Sequence, residues 1–377
     1  MNLTRGTIEW PAVDPKAGPW LWNPRQDLVW VVGLGSLVFG AIAVPLSIAV
    51  PAVSALLVTA FVHLGVICNH PHYAVTYQLI WRERARARSS YLWLLASTPA
   101  AVVLVFYAAF FNHPLIGLLN RVYLTWSAYH YAAQHFGVAS MYQAREKRAL
   151  APIEKRAVQV GFVAVALYIM LLLNMQHGLG DGTVFAGASR GSAFGLMLPA
   201  AAYPFAVAVA AIGVVAYGIG EALHKKRTGA GLGREARLLF AANFAWFVLP
   251  YVHLPGAKGP WIGDSVATWL PYAQPFFHCA QYLAVCGWRA RTTGGIKPVY
   301  YFMTLVAIGL LLFEAGTYGI GALARLDEAQ AILLVPAVIN IHHFFLDGLM
   351  WKAKRKPAAA SAPPAASPAK PAEKAAA

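Results

Sequence analysis

The sequence predicts an all-α, polytopic membrane protein: a bundle of about ten transmembrane helices with both termini in the cytoplasm. Of the 377 residues, 59% are hydrophobic and 12% are charged, against about 25% charged in soluble domains. The mean hydropathy is +0.53, and short basic clusters separate the long apolar runs. The three cysteines form no CxxC pair. A soluble enzyme, a disordered chain and a disulfide scaffold are therefore excluded.

The apolar runs set the predicted spans, since a spanning helix needs about 20 residues. The ten runs are Leu28–Ile48, Ala52–Gln78, Tyr91–Phe111, Val122–Tyr142, Val158–Asn174, Phe194–Ile219, Leu238–Val252, Trp269–Trp288, Tyr300–Ile320 and Ala329–Trp351. A single helix from Leu28 to Cys68 would be about 60 Å long. We therefore expect two spans that turn near Pro51. The shortest predicted span is Leu238–Val252.

The net charge of +15 is distributed as in a membrane protein and not as in a nucleic-acid-binding domain. The basic clusters are Arg82–Arg88, Arg145–Arg156, Lys225–Arg237, Arg289–Lys297 and Lys352–Lys356. With both termini inside, all of these clusters face the cytoplasm, as the positive-inside rule requires. Only Arg121, Arg190, Lys258 and Arg325 lie in outer loops. The predicted partner is thus the lipid bilayer, and no nucleic acid is expected.

Three segments divide the predicted chain. Residues 1–27 form an N-terminal interfacial segment, because the stretch from Gly18 to Pro24 is rich in Trp, which favours the headgroup level of a membrane. Residues 28–351 form the transmembrane helical domain. Residues 352–377 are basic and then rich in Ala and Pro, a composition that cannot pack a core and predicts disorder.

The histidines are the residues of this chain that first indicate a functional site. Eight of the twelve histidines fall inside apolar runs, in the second, fourth, eighth and tenth predicted spans. His72, His135, His278 and His343 each lie 9 to 11 residues before the next basic cluster, which is about 13–17 Å along a helix. Four helices would thus present imidazole at one level of the membrane. We therefore expect these four spans to be adjacent around a polar centre.

These histidines are predicted to bind metal. The predicted ligands are His70, His72, His130, His135, His278, His342 and His343. Asp347, four residues after His343, is the predicted catalytic carboxylate, either as a metal ligand or beside one. Imidazoles with a carboxylate suit iron, with copper or zinc as alternatives, and so many imidazoles favour two iron ions. His63 is nearer the outer side and is expected to pair helices through a hydrogen bond.

The spacing His130-x4-His135, the pair His342-His343 and the pair His70-x-His72 resemble the histidine boxes of membrane di-iron desaturases and hydroxylases. Those enzymes carry HxxHH boxes on a cytoplasmic cap, whereas this chain holds its histidines within the spans. The layout of many spans is more similar to the Brp/Blh-type β-carotene-cleaving dioxygenases. The segment from Asn340 to Lys352 also resembles the closing motif of histidine-rich bacterial membrane proteins. These resemblances imply iron and a multi-pass protein of the bacterial inner (cytoplasmic) membrane.

The function predicted from this pattern is a metal-dependent oxidoreductase acting on a lipophilic small molecule, such as a fatty acyl chain, carotenoid or isoprenoid. A reductive reaction would need a separate electron donor, because no reductase domain is present in the sequence; a dioxygenase would not. Two alternatives remain open. One is a haem-binding electron-transfer or gas-handling protein, since histidines on different helices can ligate haem. The other is a metal or proton transporter, whose path would use buried His and Asp.

Overall fold

The computed structural model is all-helical and contains no β-strand in the residues that it describes. The described residues are 19–85, 88–175, 198–252, 262–294 and 296–350. The predicted C-terminal tail and most of the predicted N-terminal segment lie outside them. The principal helices are α1 (Leu34–Ala49), α2 (Pro51–Arg82), α3 (Arg88–Phe110), α4 (Pro114–Arg145), α5 (Pro152–Leu173), α6 (Tyr203–Thr228), α7 (Arg234–Phe247), α8 (Leu270–Gly294), α9 (Pro298–Ala324) and α10 (Glu328–Met350).

Proline sets the start of several helices. Pro51, Pro114, Pro152 and Pro298 each occupy the first turn, where the missing N–H would have no intrahelical partner anyway. The predicted turn near Pro51 is confirmed, because α1 ends at Ala49 and α2 begins at Pro51. A further bend of 55° separates the short helical segment Pro24–Val31 from α1.

Six helices in the described residues are long and apolar enough to cross a membrane, and the bent pair of Pro24–Val31 with α1 would be a seventh. They are α2, α3, α5, α6, α9 and α10. The prediction of ten spans is thus met in part, and the number ten stays a prediction. Helix α4 has 32 residues and α8 has 25, so both are long enough, but their polar residues lower their mean hydropathy. Helix α7 has 14 residues, about 21 Å.

The basic loops meet at one end of the bundle, which we call the basic end. Contacts there join helices that are distant in sequence. They are Arg289 with Glu83 at 3.0 Å, Arg227 with Glu154 at 2.8 Å, and the Arg145 guanidinium with the Trp288 ring at 5.0 Å. Helices α2, α4 and α8 therefore end on the same side, and α6 ends where α5 begins. This is the arrangement of loops that the positive-inside prediction needs.

The described part of the N-terminal segment packs onto the basic end. Asp27 is fully buried and accepts hydrogen bonds from the backbone N–H of Leu21 and from the Tyr142 hydroxyl, both at 2.6 Å. The indole of Trp22 donates to the Ala284 carbonyl at 3.0 Å. These bonds fix the chain just before the bend, next to α4 and α8.

Helices α5 and α6 pack closely through glycine. A Cβ on Gly161 would lie 2.9 Å from the Tyr217 Cβ, and one on Gly213 would lie 2.8 Å from the Ala164 Cβ. Small residues let helix backbones approach in the way common among membrane helices. Helix α5 also packs against α4, one of the helices that carry the histidines.

Candidate metal centre

Helices α2, α4, α8 and α10 converge, and each contributes one imidazole to a compact centre. The His72 ring lies 4.9 Å from that of His278 and 4.6 Å from that of His343, centroid to centroid. The His130 ring lies 4.9 Å from His278 and 5.1 Å from His343. The expectation that these four helices surround one polar centre is confirmed by these contacts. We call these four residues the histidine centre.

The histidine centre is buried and has few hydrogen bonds. The four side chains are between 0% and 8% exposed. Six ring nitrogens have no partner within the described residues: both from His72, both from His278, and the Nε2 atoms of His130 and His343. A buried polar atom without a partner destabilises a protein by about 1–3 kcal/mol. An ion that these nitrogens ligate would remove that cost, so the donor set fits a metal.

Two groups of potential ligand atoms can be distinguished in this centre. Nitrogens of His72, His130 and His278 lie within 4.8 Å of one another, and so do nitrogens of His130 and His343 with a carboxylate oxygen of Asp347. Because His130 belongs to both groups, they are parts of one centre. Each group offers three potential ligand atoms, and together the two groups comprise four imidazoles and Asp347.

Asp347 is held by two hydroxyl groups. Its Oδ1 accepts hydrogen bonds from Thr76 at 2.7 Å and from Tyr282 at 2.9 Å. The Thr76 hydroxyl thereby uses its one proton, so at 3.0 Å from His343 Nδ1 it accepts from that nitrogen. The proton of the neutral His343 imidazole is then on Nδ1, which leaves the Nε2 lone pair available. Such a partner behind a ligating histidine fixes its tautomer and orientation.

Thr76 and Tyr282 were not among the site residues predicted from the sequence, although a regular four-residue interval in the sequence points to them. Each histidine of the centre is followed four residues later by a polar side chain. The pairs are His72 with Thr76, His130 with Gln134, His278 with Tyr282 and His343 with Asp347. An interval of four places both side chains on one helix face. Because α2, α4 and α8 all run toward the basic end, their partners lie about one turn nearer to it.

Gln134 links two of these helices through main-chain and side-chain contacts. Its Nε2 donates to the His278 carbonyl at 3.0 Å and to Gln281 Oε1 at 2.7 Å. Gln281 in turn donates to the Val31 carbonyl at 2.6 Å. Gln134 therefore fixes α8 against α4, and Gln281 fixes the N-terminal bend against α8.

His342, a predicted ligand, lies outside the histidine centre. The Tyr77 hydroxyl is 2.9 Å from its Nδ1, and the Ser97 hydroxyl is 2.8 Å from its Nε2. Ser97 donates its own proton to the Trp93 carbonyl at 2.6 Å, so it accepts from His342. Both ring nitrogens of His342 are thus occupied, and its position supports helix pairing instead of metal binding.

His70, also a predicted ligand, points toward α9. Its ring stacks on Phe313 with the centroids 4.5 Å apart, and its Nδ1 lies 3.6 Å from a carboxylate oxygen of Glu314. A Cβ on Gly309 would lie 2.6 Å from the His70 carbonyl carbon, so α2 and α9 approach closely here. The structure therefore separates His70 from His72, although both were expected to face one centre.

Residue counts to the basic clusters predicted that His135 lies at the level of the other three histidines. In the structure His130 lies there instead. His130 lies in the histidine centre, whereas His135 lines a pocket next to it, together with His278. Residue counts to a basic cluster give a depth only if the helices are equally inclined, and the sequence does not fix the inclination. His63 is exposed and lies outside the centre, as expected. Its ring lies 2.7 Å from the Thr59 carbonyl of its own helix. This contact is within one helix, whereas a hydrogen bond between helices was predicted.

No protein-family model matches the chain, and no curated protein or solved structure matches it either. The class of protein therefore follows from the fold and the site alone. The fold is that of a multi-pass membrane protein. Its buried histidines, with one carboxylate, form groups that can hold a metal ion.

Proposed function

We propose that this protein is a membrane-embedded, iron-dependent oxidoreductase acting on a lipophilic substrate in the inner membrane of a bacterium. The observation that carries the proposal is the set of unpartnered ring nitrogens on His72, His130, His278 and His343. Helix-pairing histidines hydrogen-bond to a neighbour, and these nitrogens do not. Metal ligation is the role that such a group of buried imidazoles supports best.

Iron fits the donor set better than a structural zinc ion does. Structural zinc sites are usually closed and tetrahedral, whereas histidines with a carboxylate and an open position are typical of Fe(II) oxygen chemistry. The expectation of two ions was based on the seven histidines predicted as ligands, and the centre contains four. One six-coordinate ion can take four imidazoles, with Asp347 either bound to it or directly beside it, and keep an open position. We therefore propose one iron, with two as the alternative.

The chain's own residues would hold and shield this centre. Thr76 and Tyr282 orient Asp347, and Thr76 holds the His343 imidazole with its Nε2 lone pair free. The burial of the four rings excludes bulk water. Bound iron would supply the oxygen chemistry that protein side chains lack. A dioxygenase reaction needs no outside electrons, and a monooxygenase or desaturase reaction would add a separate electron donor as a partner.

The arrangement of the rings disfavours the two alternatives. A haem with two axial histidines needs a flat open space between them for the macrocycle, and the four rings here are in edge contact. A transporter needs polar groups in succession along a path. The four histidines here cluster at one place, and each has a polar side chain four residues later, which is the organisation of a fixed site.

The test is metal analysis with absorption spectroscopy on the full chain, purified in detergent and loaded anaerobically with Fe(II). We expect one iron per chain and no Soret band. Oxygen uptake with a total bacterial lipid extract should depend on iron and stop with a chelator. A Soret band, or wild-type protein that takes up no iron, would overturn the proposal. Uptake that requires added reductant would identify the reductive class of reaction.

A further inference from the structure

Three arginine–tryptophan pairs lie at the basic end, around the N-terminal segment. In each pair the guanidinium lies over the indole ring, within the distance of about 6 Å at which an aromatic face attracts a cation. The pairs are Arg234 over Trp20 at 5.8 Å, Arg291 over Trp22 at 5.8 Å, and Arg145 over Trp288 at 5.0 Å. The three arginines belong to α7, α8 and α4, in that order. We call these six residues the arginine–tryptophan cluster.

Arg145 fixes the cluster in place. Its Nη2 donates to the Trp20 carbonyl at 2.8 Å, and its Nε donates to the Pro19 carbonyl. The indole of Trp22 is bound to α8 by its hydrogen bond to the Ala284 carbonyl. Trp20 and Trp22 are thus held against α4 and α8, and the Arg145 guanidinium is already engaged by the backbone.

Arg234 and Arg291 are the two arginines of the cluster that a ligand can reach. The Arg234 side chain is 60% exposed, and Arg291 is exposed as well. The Nη2 of Arg234 lies 3.5 Å from a Glu235 oxygen, which engages one of the five N–H donors of a guanidinium. A guanidinium on an aromatic face keeps its donors at its edge, where their planar fork matches two oxygens of a phosphate group. These two side chains are therefore suited to bind a phosphate.

The charge around Arg234 is positive despite two nearby carboxyl groups. Glu146 and Glu235 are hydrogen-bonded to each other, which requires a proton between them. The pair then carries one negative charge, which faces both Arg148 and Arg234. Asp27 is fully buried and accepts its hydrogen bonds from neutral donors. The exposed groups of the cluster are thus cationic.

The position of the cluster indicates which phosphate it meets. Tryptophan favours the headgroup level of a membrane, and basic pockets between membrane helices bind anionic lipid headgroups. Val29 and Trp30 follow in the same segment and are 40% and 48% exposed, so they offer apolar surface to an acyl chain. A zwitterionic headgroup would bring its own ammonium group to the arginines, which would repel it.

We propose that the arginine–tryptophan cluster binds an anionic phospholipid. Arg234 and Arg291 donate hydrogen bonds to the lipid phosphate, and the acyl chain lies along Val29 and Trp30. The site includes no residue of the histidine centre. It is therefore independent of the proposed iron chemistry, and the failure of either proposal leaves the other standing.

The experiment measures the melting temperature of the purified full chain in neutral detergent while dioctanoyl phosphatidylglycerol is added. A lipid that binds the folded state raises the melting temperature with its concentration, and this dependence gives the affinity. Dioctanoyl phosphatidylcholine and inorganic phosphate at the same concentrations should have little effect. Arg234→Gln and Arg291→Gln should each weaken the binding about fivefold, the contribution of one arginine near a membrane surface, and together about 25-fold.

Arg84→Gln is the matched control. Arg84 is also an exposed arginine of the basic end, and its guanidinium lies 5.0 Å from the centre of a different tryptophan, Trp81. Its replacement removes the same charge and should leave the affinity for phosphatidylglycerol unchanged. An equal loss in Arg84→Gln, an equal effect of phosphatidylcholine, or an equal effect of inorganic phosphate would each overturn the proposal. If the double variant gives no single peak in gel filtration, the two single variants decide the question by the same criteria.

Discussion

His342 and His343 are neighbours in the chain and lie in two different regions of the molecule. The imidazole of His342 lies between α2 and α3, where Tyr77 and Ser97 occupy both of its nitrogens. The imidazole of His343 lies in the histidine centre, where Thr76 occupies Nδ1 and Nε2 has no hydrogen-bond partner. Successive residues on a helix face different sides, so adjacency in the sequence does not give a shared role.

Within this pair, the unpartnered Nε2 distinguishes the candidate ligand His343 from the structural His342, whose two ring nitrogens both have partners. A neutral imidazole has one donor and one acceptor. When both nitrogens have hydrogen-bond partners, as in His342, the ring connects two helices and offers no free lone pair to a metal. When the acceptor is left free in a buried place, as in His343, the protein carries a destabilising group that a ligand would satisfy.

The largest expected effect is at the histidine centre. His72→Ala and His278→Ala should each abolish stable iron binding, because each removes one of four clustered imidazoles. Metal content per chain, measured after gel filtration, is the readout. His63→Ala is the matched control, since His63 is exposed and its ring lies 2.7 Å from the Thr59 carbonyl of its own helix. Full iron in both centre variants would show that these histidines are packing residues.

The second-largest effect is expected from replacement of the Asp347 carboxylate. Asp347→Asn keeps the shape but removes the charge and one acceptor oxygen from the network with Thr76 and Tyr282. We expect iron affinity to fall by about 10- to 100-fold, the range for partners of metal ligands. Competition with a chelator of known affinity measures this. Complete loss of iron would instead identify Asp347 as a ligand, and unchanged affinity would remove it from the site.

A smaller effect is expected from the hydroxyl that supports Asp347. Tyr282→Phe removes the hydrogen bond that Tyr282 donates to Asp347 at 2.9 Å and leaves the hydrogen bond from Thr76 to Asp347 in place. The iron affinity should fall by about tenfold, at the lower end of the range for such partners. Tyr301→Phe, another buried tyrosine near the basic end, serves as the control and should leave the chelator competition unchanged. Equal losses in the two variants would mean that the effect is general destabilisation.

The helix-pairing role of His342 predicts a change in stability without a change in metal. Tyr77→Phe removes the hydrogen bond to Nδ1 and should lower the free energy of unfolding by about 0.5–1.5 kcal/mol. Thermal unfolding in detergent, compared between protein with and without iron, measures it. The iron content should equal that of wild type. Loss of iron in Tyr77→Phe would place His342 in the metal site after all.

Stability should also depend on pH through Glu146 at the basic end. Burial, together with the hydrogen bond and the charge of Glu235, raises the pKa of Glu146 from 4.5 to about 7. A raised carboxyl pKa stabilises the fold at pH below 4.5, and this contribution is lost as the pH rises through 7. Glu146→Gln should therefore become more stable relative to wild type between about pH 5 and pH 8. A difference in melting temperature that does not change with pH would contradict this.

Helix content and the identity of the four site helices could be predicted from the sequence. The long apolar runs require helices in a membrane, because only helices and closed barrels satisfy every backbone group in lipid. Proline at residue 51 gave the turn between the first two runs. The histidine-bearing runs could be recognised because a polar imidazole is costly in so apolar a chain and is usually functional there. His72, His278 and His343 do lie together in the structure.

The tertiary structure decided which histidines share the centre and which do not. His70 and His342 are directed to α9 and to α3, and His130 takes the place expected of His135, because helix rotation and inclination depend on packing with all neighbours. The hydroxyl partners Thr76 and Tyr282 follow the four-residue interval of the sequence. Their contact with Asp347 nevertheless requires three helices to meet. The periodicity along one helix can be read from the sequence. The contacts between side chains of different helices are determined only when the helices pack into the bundle.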